Sequence, residues 1–512
     1  MSTLGNQPPE FLGDNNSRAS QDNDATSSPP KESLRAEARR LFFLAVPTII
    51  IHLSFVVPPF LTASYIGRHF GHYHLTGYTL ANLTGNLLTL ALLQGFFNAS
   101  DTLSPQAFGA GNYRQLGLLA MRGYVATMMI IIPTSIFLFL GMDKLLIALG
   151  QDPKAAQYAW DFYMIYALSF PFYSLYVVIW KFLSAQDILL PLVVCTSFST
   201  LIVLPISLEL LVKSSFGYWG AALAIVLFYV VESLAVLGWC CLYKPHHSET
   251  WPGLSAWKEA LEWNAFSRYL SLGIGGMLAS FEWIYWEVLG FIVGLLGVLP
   301  LSAHTIPTQV IFLTFMFPVG LGIALAIRLG TLLSQSVPMA KMLTVGSLCF
   351  SVVVFGLQSI LLYQCQDWVF SIFTDETAVI DLCKQVWFHV CLYLFLLSMF
   401  GMNVGISIGL GLQWTLGVVT VACLWFLGLP MTYYFSIVQG GGFSAVWIWI
   451  WPPYILINIC MGLAFITRDW NEIAYTIIIR EGVEKGSQLL DSLALVESQD
   501  EKRNKGYGAI NH

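Results

Sequence analysis

Long apolar runs alternate with short polar breaks over most of this chain. Counting about 20 apolar residues as the length that crosses a hydrocarbon layer yields twelve spans, centred near residues 52, 88, 128, 170, 200, 230, 282, 314, 352, 396, 426 and 457. The expected class is an all-α polytopic membrane protein with an even number of crossings, both termini on one side. The longest interior polar connection, roughly Tyr243 to Arg268 with Pro245 and Pro252, divides six spans from six. A faint internal repeat agrees with that division: SFGYWGAALAI at Ser215–Ile225 resembles GGGFSAVWIWI at Gly440–Ile450, an offset of 225 residues. The expected organisation is a polar tail (1–36), an N-lobe (37–243), a linker (244–268), a C-lobe (269–468) and a second polar, flexible tail (469–512). Two parallel six-helix repeats place a substrate path at their interface.

Composition narrows the class further. Of 512 residues, 56% are hydrophobic and 11% charged, against about 25% charged in soluble domains. The net charge of −6 comes without a basic block, which excludes nucleic acid as an expected partner. Nine scattered cysteines lack metal-ligand or CxxC spacing and read as packing residues. Assigning the tails and even-numbered loops to the cytoplasm gives that side 19 of the 24 Lys and Arg, so the positive-inside rule puts both termini there.

Against this apolar background, the seventh span carries two acids inside FEWIYWE, Glu282 and Glu287. Acids at bilayer depth are costly, and they tend to face a bundle interior or a wet cavity on an ion or substrate path. On a helix, five residues separate the pair by about 7.5 Å and about 140°. They therefore do not share a face: Glu282 shares one with Trp286 and Glu287 with Trp283. One acid can line a cavity while the other bonds within the lobe. The rings of Trp283, Tyr285 and Trp286 offer surfaces for a cationic solute. Gly273, Gly275 and Gly276 precede the acids and suit either a bend or close helix packing. Asp101 and Gln106, with Thr102 and Ser104, read as a polar turn ending span 2, with a structural or gating role; Gln186 and Asp187, ending span 4, read the same way. His52 and His304 read as hydrogen-bonded core histidines.

Several segments together resemble the multidrug and toxic compound extrusion (MATE) transporters: ASDTLSPQAFGAGNYRQLG at Ala99–Gly117, GQDP at Gly150, KFLSAQDILLP at Lys181, FPVG at Phe317, GLP at Gly428, and the EWxxWE pattern at Glu282–Glu287, which is most similar to eukaryotic members. The resemblance spans roughly residues 40–470. It implies a V-shaped pair of six-helix lobes that exports organic solutes, often cations, in exchange for protons or sodium. It also implies that the family's acidic position on the seventh helix falls on Glu282 and its second acid on Glu287. The acids that eukaryotic members often carry on helices eight and ten are replaced here by Gln309, read as a substrate contact, and by apolar residues near Leu396. The chain also lacks a Gly-Ala-Gly element after span 8 and an Arg in IGLGLQW, so it reads as a divergent member.

The expected function is a secondary active antiporter for drugs, toxins or metabolites. Protons are the expected coupling ion, sodium being disfavoured for want of hard oxygen ligands; no other cofactor and no metal are expected. The chain is expected to act as a monomer in the plasma membrane or a vacuolar or other endomembrane. The alternatives are a lipid-linked saccharide or polysaccharide flippase of similar build, which would want a cationic groove, and a membrane-embedded transferase, which would want a His or Asp constellation.

Overall fold

Backbone polar groups in hydrocarbon have to be satisfied within the segment that carries them. Every crossing in the computed structural model, which describes residues 31–70, 72–373 and 377–481, is accordingly helical. The twelve spans are α1 (Leu34–Phe70), α2 (Tyr73–Ala110), α3 (Tyr113–Ala148), α4 (Pro153–Ser184), α5 (Leu190–Val212), α6 (Gly217–Tyr243), α7 (Trp263–Gly294), α8 (Leu299–Leu333), α9 (Val337–Gln364), α10 (Thr377–Leu410), α11 (Gln413–Val438) and α12 (Gly442–Thr467). They form two six-helix lobes, α1–α6 and α7–α12, joined by a linker whose Arg114–Glu259 pair (2.6 Å) and Arg122–Ala260 carbonyl bond (2.6 Å) fasten it to α3. The Arg114 guanidinium holds the exposed Glu259 carboxyl below its usual range.

Three boundaries differ from the expected ones. Helix begins at Lys31, within the expected first tail, and α7 begins at Trp263, inside the expected linker. Beyond Asp469, where a flexible tail was expected, Trp470–Glu481 form a further helix, α13. Its Trp470, Ala474, Ile477 and Ile478 are buried, and it packs against α2, α8 and α9. The polar residues that made this segment read as a tail lie between those apolar positions, the spacing of a one-sided helix.

Several spans are locally irregular. Wider π-helical turns occur in α2 (Asn86–Leu90), α5 (Ser199–Val203) and α11 (Ala422–Gly428, Tyr434–Val438). The helix of α7 is interrupted at Ser280, whose N–H bonds the Gly276 and Met277 carbonyls. The glycines before it serve close packing instead: a Cβ on Gly273 would stand 2.4 Å from the Phe96 ring and one on Gly276 2.8 Å from the Gly95 carbonyl.

The lobes meet at the end of the molecule that carries the first and last described residues. There α2 crosses α7 and α8, and α1 crosses α8. A Cβ on Gly95 would lie 2.3 Å from the Met277 nitrogen, and one on Gly320 2.6 Å from Ile49, so the backbones approach as only small residues permit. Toward the other end each helix turns back to its own lobe: the first half of α2 packs on α4, and α1 beyond Val57 packs on α2, α5 and α6. The exposure of α8 follows this divergence. Thr305, Gln309, Leu313 and Phe317 form an exposed stripe, whereas from Gly320 to Leu333 nearly every residue is covered. Phe317 and Leu313 continue the face on which Gly320 meets Ile49 of α1, so the stripe lines the cleft left where the lobes diverge.

Gly95→Leu is expected to force α2 off α7 and lower stability by about 1–3 kcal/mol, read as a lower melting temperature in detergent, while the same change at open Gly346 leaves it nearly unchanged.

Candidate functional site

Glu282 lies two residues past the break in α7 and is 2% exposed. Its Oε1 accepts from Trp286 Nε1 one turn on (3.0 Å) and from the Tyr454 hydroxyl of α12 (3.1 Å). The α10 residue Tyr393 stands edge-on to both donors, with ring centroids 5.1 Å from Trp286 and 5.0 Å from Tyr454. Tyr285 is fully buried toward α11, its hydroxyl beside Gly428. Helical spacing thus places Glu282 and Trp286 together, as expected, and the face they occupy points into the C-lobe. Both donors are neutral, so the carboxyl can exchange a proton without dissolving an ion pair.

Trp283 and Glu287 occupy the opposite face and are exposed. The Trp283 ring lies 6.2 Å from both Phe312 and Phe315 of α8. Gln309 is one turn before Phe312 on the exposed stripe. Trp283, Glu287, Gln309 and Phe312 therefore share the cleft wall, while Glu282, Tyr285 and Trp286 lie behind it. The four residues expected to contact a substrate are divided between wall and lobe interior.

At the closed end, Asp101 departs from the expected polar turn. Span 2 continues as helix to Ala110, so Asp101, Thr102, Ser104 and Gln106 are helical and buried rather than part of a turn. Asp101 pairs with Lys181 of α4 at 2.8 Å, both side chains nearly inaccessible, and Lys181 also lies 4.2 Å over the Trp180 ring. The next polar residues tie α2 to the C-lobe: Thr102 donates to the Ile408 carbonyl (2.6 Å) and Gln106 to that of Gly409 (3.0 Å), while Gln413 donates to the Thr102 hydroxyl. From α8, Arg328 reaches Glu37 (2.6 Å) and Asp187 (3.1 Å) in the N-lobe. Arg480 of α13 donates to Gln106 (2.9 Å) and Asn112 to Glu481 (3.1 Å). Gln186 accepts the His247 N–H (3.0 Å), anchoring the linker.

His52 is hydrogen-bonded in the core, its Nδ1 2.7 Å from the Thr48 carbonyl; His304 packs on Trp447, its Nδ1 without a bonded partner among the described residues. Sequence reasoning passed over Glu232, the lone acid of α6, which is fully buried in the N-lobe. Its signal was the one that marked Glu282, an acid within an apolar run. Arg328 was counted only as a loop charge, because its carboxylate partners lie 291 and 141 residues away.

Known proteins share this fold. The MatE family model matches residues 47–208 and 277–434, one segment in each lobe. "Multidrug and toxin extrusion protein 1" of Danio rerio is 26% identical over 92% of this chain and 78% of its own length, and the protein of that name from Homo sapiens is 30% identical over 69% of this chain and 61% of its own. Among solved structures, the eukaryotic MATE transporter AtDTX14 superposes with a TM-score of 0.79 at 21% identity, over 88% of this chain and 99% of that one. The Vibrio cholerae MATE transporter VcmN in its bent form gives 0.74 at 16% identity, over 88% and 99%. With a buried acid behind an aromatic cleft wall, two lobes closed on one end, and the family pattern matched in both, this chain belongs to the MATE family of multidrug and toxin extrusion transporters.

Proposed function

We propose that the protein exports organic solutes, chiefly amphipathic cations, in exchange for protons, and that Glu282 is the coupling group. The observation that carries this reading is the setting of Glu282, a buried carboxyl held by two neutral donors directly behind the cleft wall. When Glu282 is ionised, the Tyr454 and Trp286 bonds are charge-assisted and strong, tying α7 to α12. Protonation weakens them and lets the part of α7 beyond the Ser280 break shift against α12, which moves Trp283 and Glu287 on the outer face. Glu287 and the Trp283–Phe312 rings supply negative charge and π surface for a cation. A solute loses that hold when the wall rearranges, so proton uptake and solute release become alternatives.

With both termini in the cytoplasm, the cleft opens away from it, and the seam of Arg328, Thr102 and Gln106 is the inner gate. One chain supplies both lobes and the cleft, so a monomer suffices. Sodium fits poorly beside Glu282, since an indole N–H and a donating phenol are not the hard oxygen shell such an ion takes.

In proteoliposomes, ethidium accumulation is expected under a pH gradient and absent under a sodium gradient of equal size; sodium drive alone overturns the proton assignment. Glu282→Gln is expected to lower pH-driven uptake at least ~10-fold with normal folding, the signature of about 1.4 kcal/mol or more lost from the coupled step. Glu287→Gln should mainly raise the KM for ethidium, roughly fivefold for a contact of about 1 kcal/mol. For topology, the sequon Asn15-Asn16-Ser17 is expected to stay unglycosylated in a eukaryotic host, where a glycan there would place the terminus on the other side.

A further inference from the structure

The N-lobe holds a carboxyl that the coupling scheme above leaves unused. Glu232, midway along α6, has zero exposure, and neither of its oxygens has a hydrogen-bond partner among the described residues. An ionised carboxylate without partners in an apolar interior is far too costly to persist, so such a group is kept neutral or paired. Among the described residues its surroundings supply no cation. From α4 come Tyr173 and Tyr176, from α5 Cys195 and from its own helix Tyr229, all near enough to interact with it electrostatically, and the Thr196 hydroxyl of α5 is a neutral donor close by. The Thr196 hydroxyl is engaged with that of Tyr176 at 2.6 Å. α1 also packs on α6; its His52 bonds the Thr48 carbonyl and lies against Phe55 and Trp180. Arg68 and His69 of α1 gather with Glu209 and Lys213 of α5. That cluster sits at the end where Gly220 of α6 meets Leu211, about three helical turns from Glu232.

Two features make this more than a stray acid. The α5 helix facing α6 carries a π-helical turn, Ser199–Val203, in which the buried Ser199 and Thr200 hydroxyls also lack partners among the described residues; such turns recur at functional sites. The half-buried Tyr173 links this interior to the helices of the cleft, its ring 5.3 Å from Tyr229, 6.2 Å from Phe55 of α1 and 5.9 Å from Phe97 of α2. The internal repeat adds a correspondence: Tyr229 plus the offset of 225 is Tyr454, the residue that bonds Glu282. Each lobe thus sets one buried carboxyl beside the equivalent tyrosine.

We propose that Glu232 is a second proton-binding carboxyl, housed in the N-lobe, loaded in this conformation and emptied during the transport cycle. This rests on the proton-antiport reading and adds a proton to it. With both carboxyls turning over, the exchange carries one proton more per solute than Glu282 alone would provide.

Two measurements on the full chain test it. Infrared difference spectra of the purified protein at neutral pH are expected to show a protonated-carboxyl C=O band that disappears in Glu232→Gln and persists in Glu282→Gln; absence of a Glu232-dependent band overturns the proposal. In proteoliposomes under a one-unit pH gradient, Glu232→Gln is expected to lower the limiting ethidium accumulation about tenfold, the equivalent of one coupled proton, and Glu232→Asp to restore it. A band that is present while accumulation and proton count stay at parental values makes Glu232 a permanently neutral structural acid and also overturns the proposal, as does sodium binding lost with Glu232. If Glu232→Gln fails to fold, Glu232→Asp carries the test, since a retained carboxyl must keep the parental proton count. Should the parent show no pH-driven uptake at all, the antiport reading fails, and the infrared band still decides whether Glu232 holds a proton.

Discussion

Keeping a carboxyl group within a hydrocarbon layer costs on the order of a few kcal/mol on insertion scales, and the C-lobe is arranged around meeting that cost at Glu282. Helical spacing two residues past Ser280 puts Glu282 on the face toward the C-lobe interior, the Trp286 indole and Tyr454 hydroxyl supply two donors, and Tyr393 stands edge-on to both rings. Three helices, α7, α10 and α12, are thereby bound to the state of a single group. A change in its charge has to be felt by the lobe, because the donors are the packing residues themselves.

The seam between the lobes follows a different solution to the same constraint. Asp101 and Lys181 neutralise each other at 2.8 Å within the N-lobe, and Arg328 is matched by Glu37 and Asp187 across the seam. Such buried pairs add little net stability, since desolvation offsets their attraction, but removing one member is severe. Around them the lobes are joined by hydroxyl and amide bonds to carbonyls at the end of α10, and by glycines that bring α2 against α7. Bonds to carbonyl groups and backbone contacts can be broken and made again without stranding a charge, which would suit a surface that separates in the proposed exchange. In the proposed exchange the ion pair within the N-lobe would move with its lobe as a unit, and the Arg328 pairs include a half-exposed partner, Asp187, that water could replace.

Much of the architecture was legible along the chain. The twelve spans, the division into six and six, and the split of Glu282 and Glu287 onto opposite faces follow from hydropathy, polar breaks and the 3.6-residue period. Asp101 was legible as a polar residue but not as a buried one: a cluster of small polar residues ending in Gly-Ala-Gly reads as a turn, and only the covering lobe permits it to continue as helix. The α13 helix was hidden for the converse reason, its apolar positions being too few to span a membrane and its docking surface belonging to α2, α8 and α9.

The sequence by itself determined which residues are expensive in hydrocarbon, how many times the chain crosses it, and which side chains share a helical face, because each is a local property of composition and period. Only the tertiary structure decided which face points into a lobe and which into the cleft. It put Trp283 and Gln309 on the wall, Tyr285 and Trp286 behind it, and joined Arg328 to acids 141 and 291 residues away. The physical reason is that burial and pairing depend on what other helices bring to a position, and along a chain of apolar spans every face looks equally fit to meet lipid, a neighbour or a cavity.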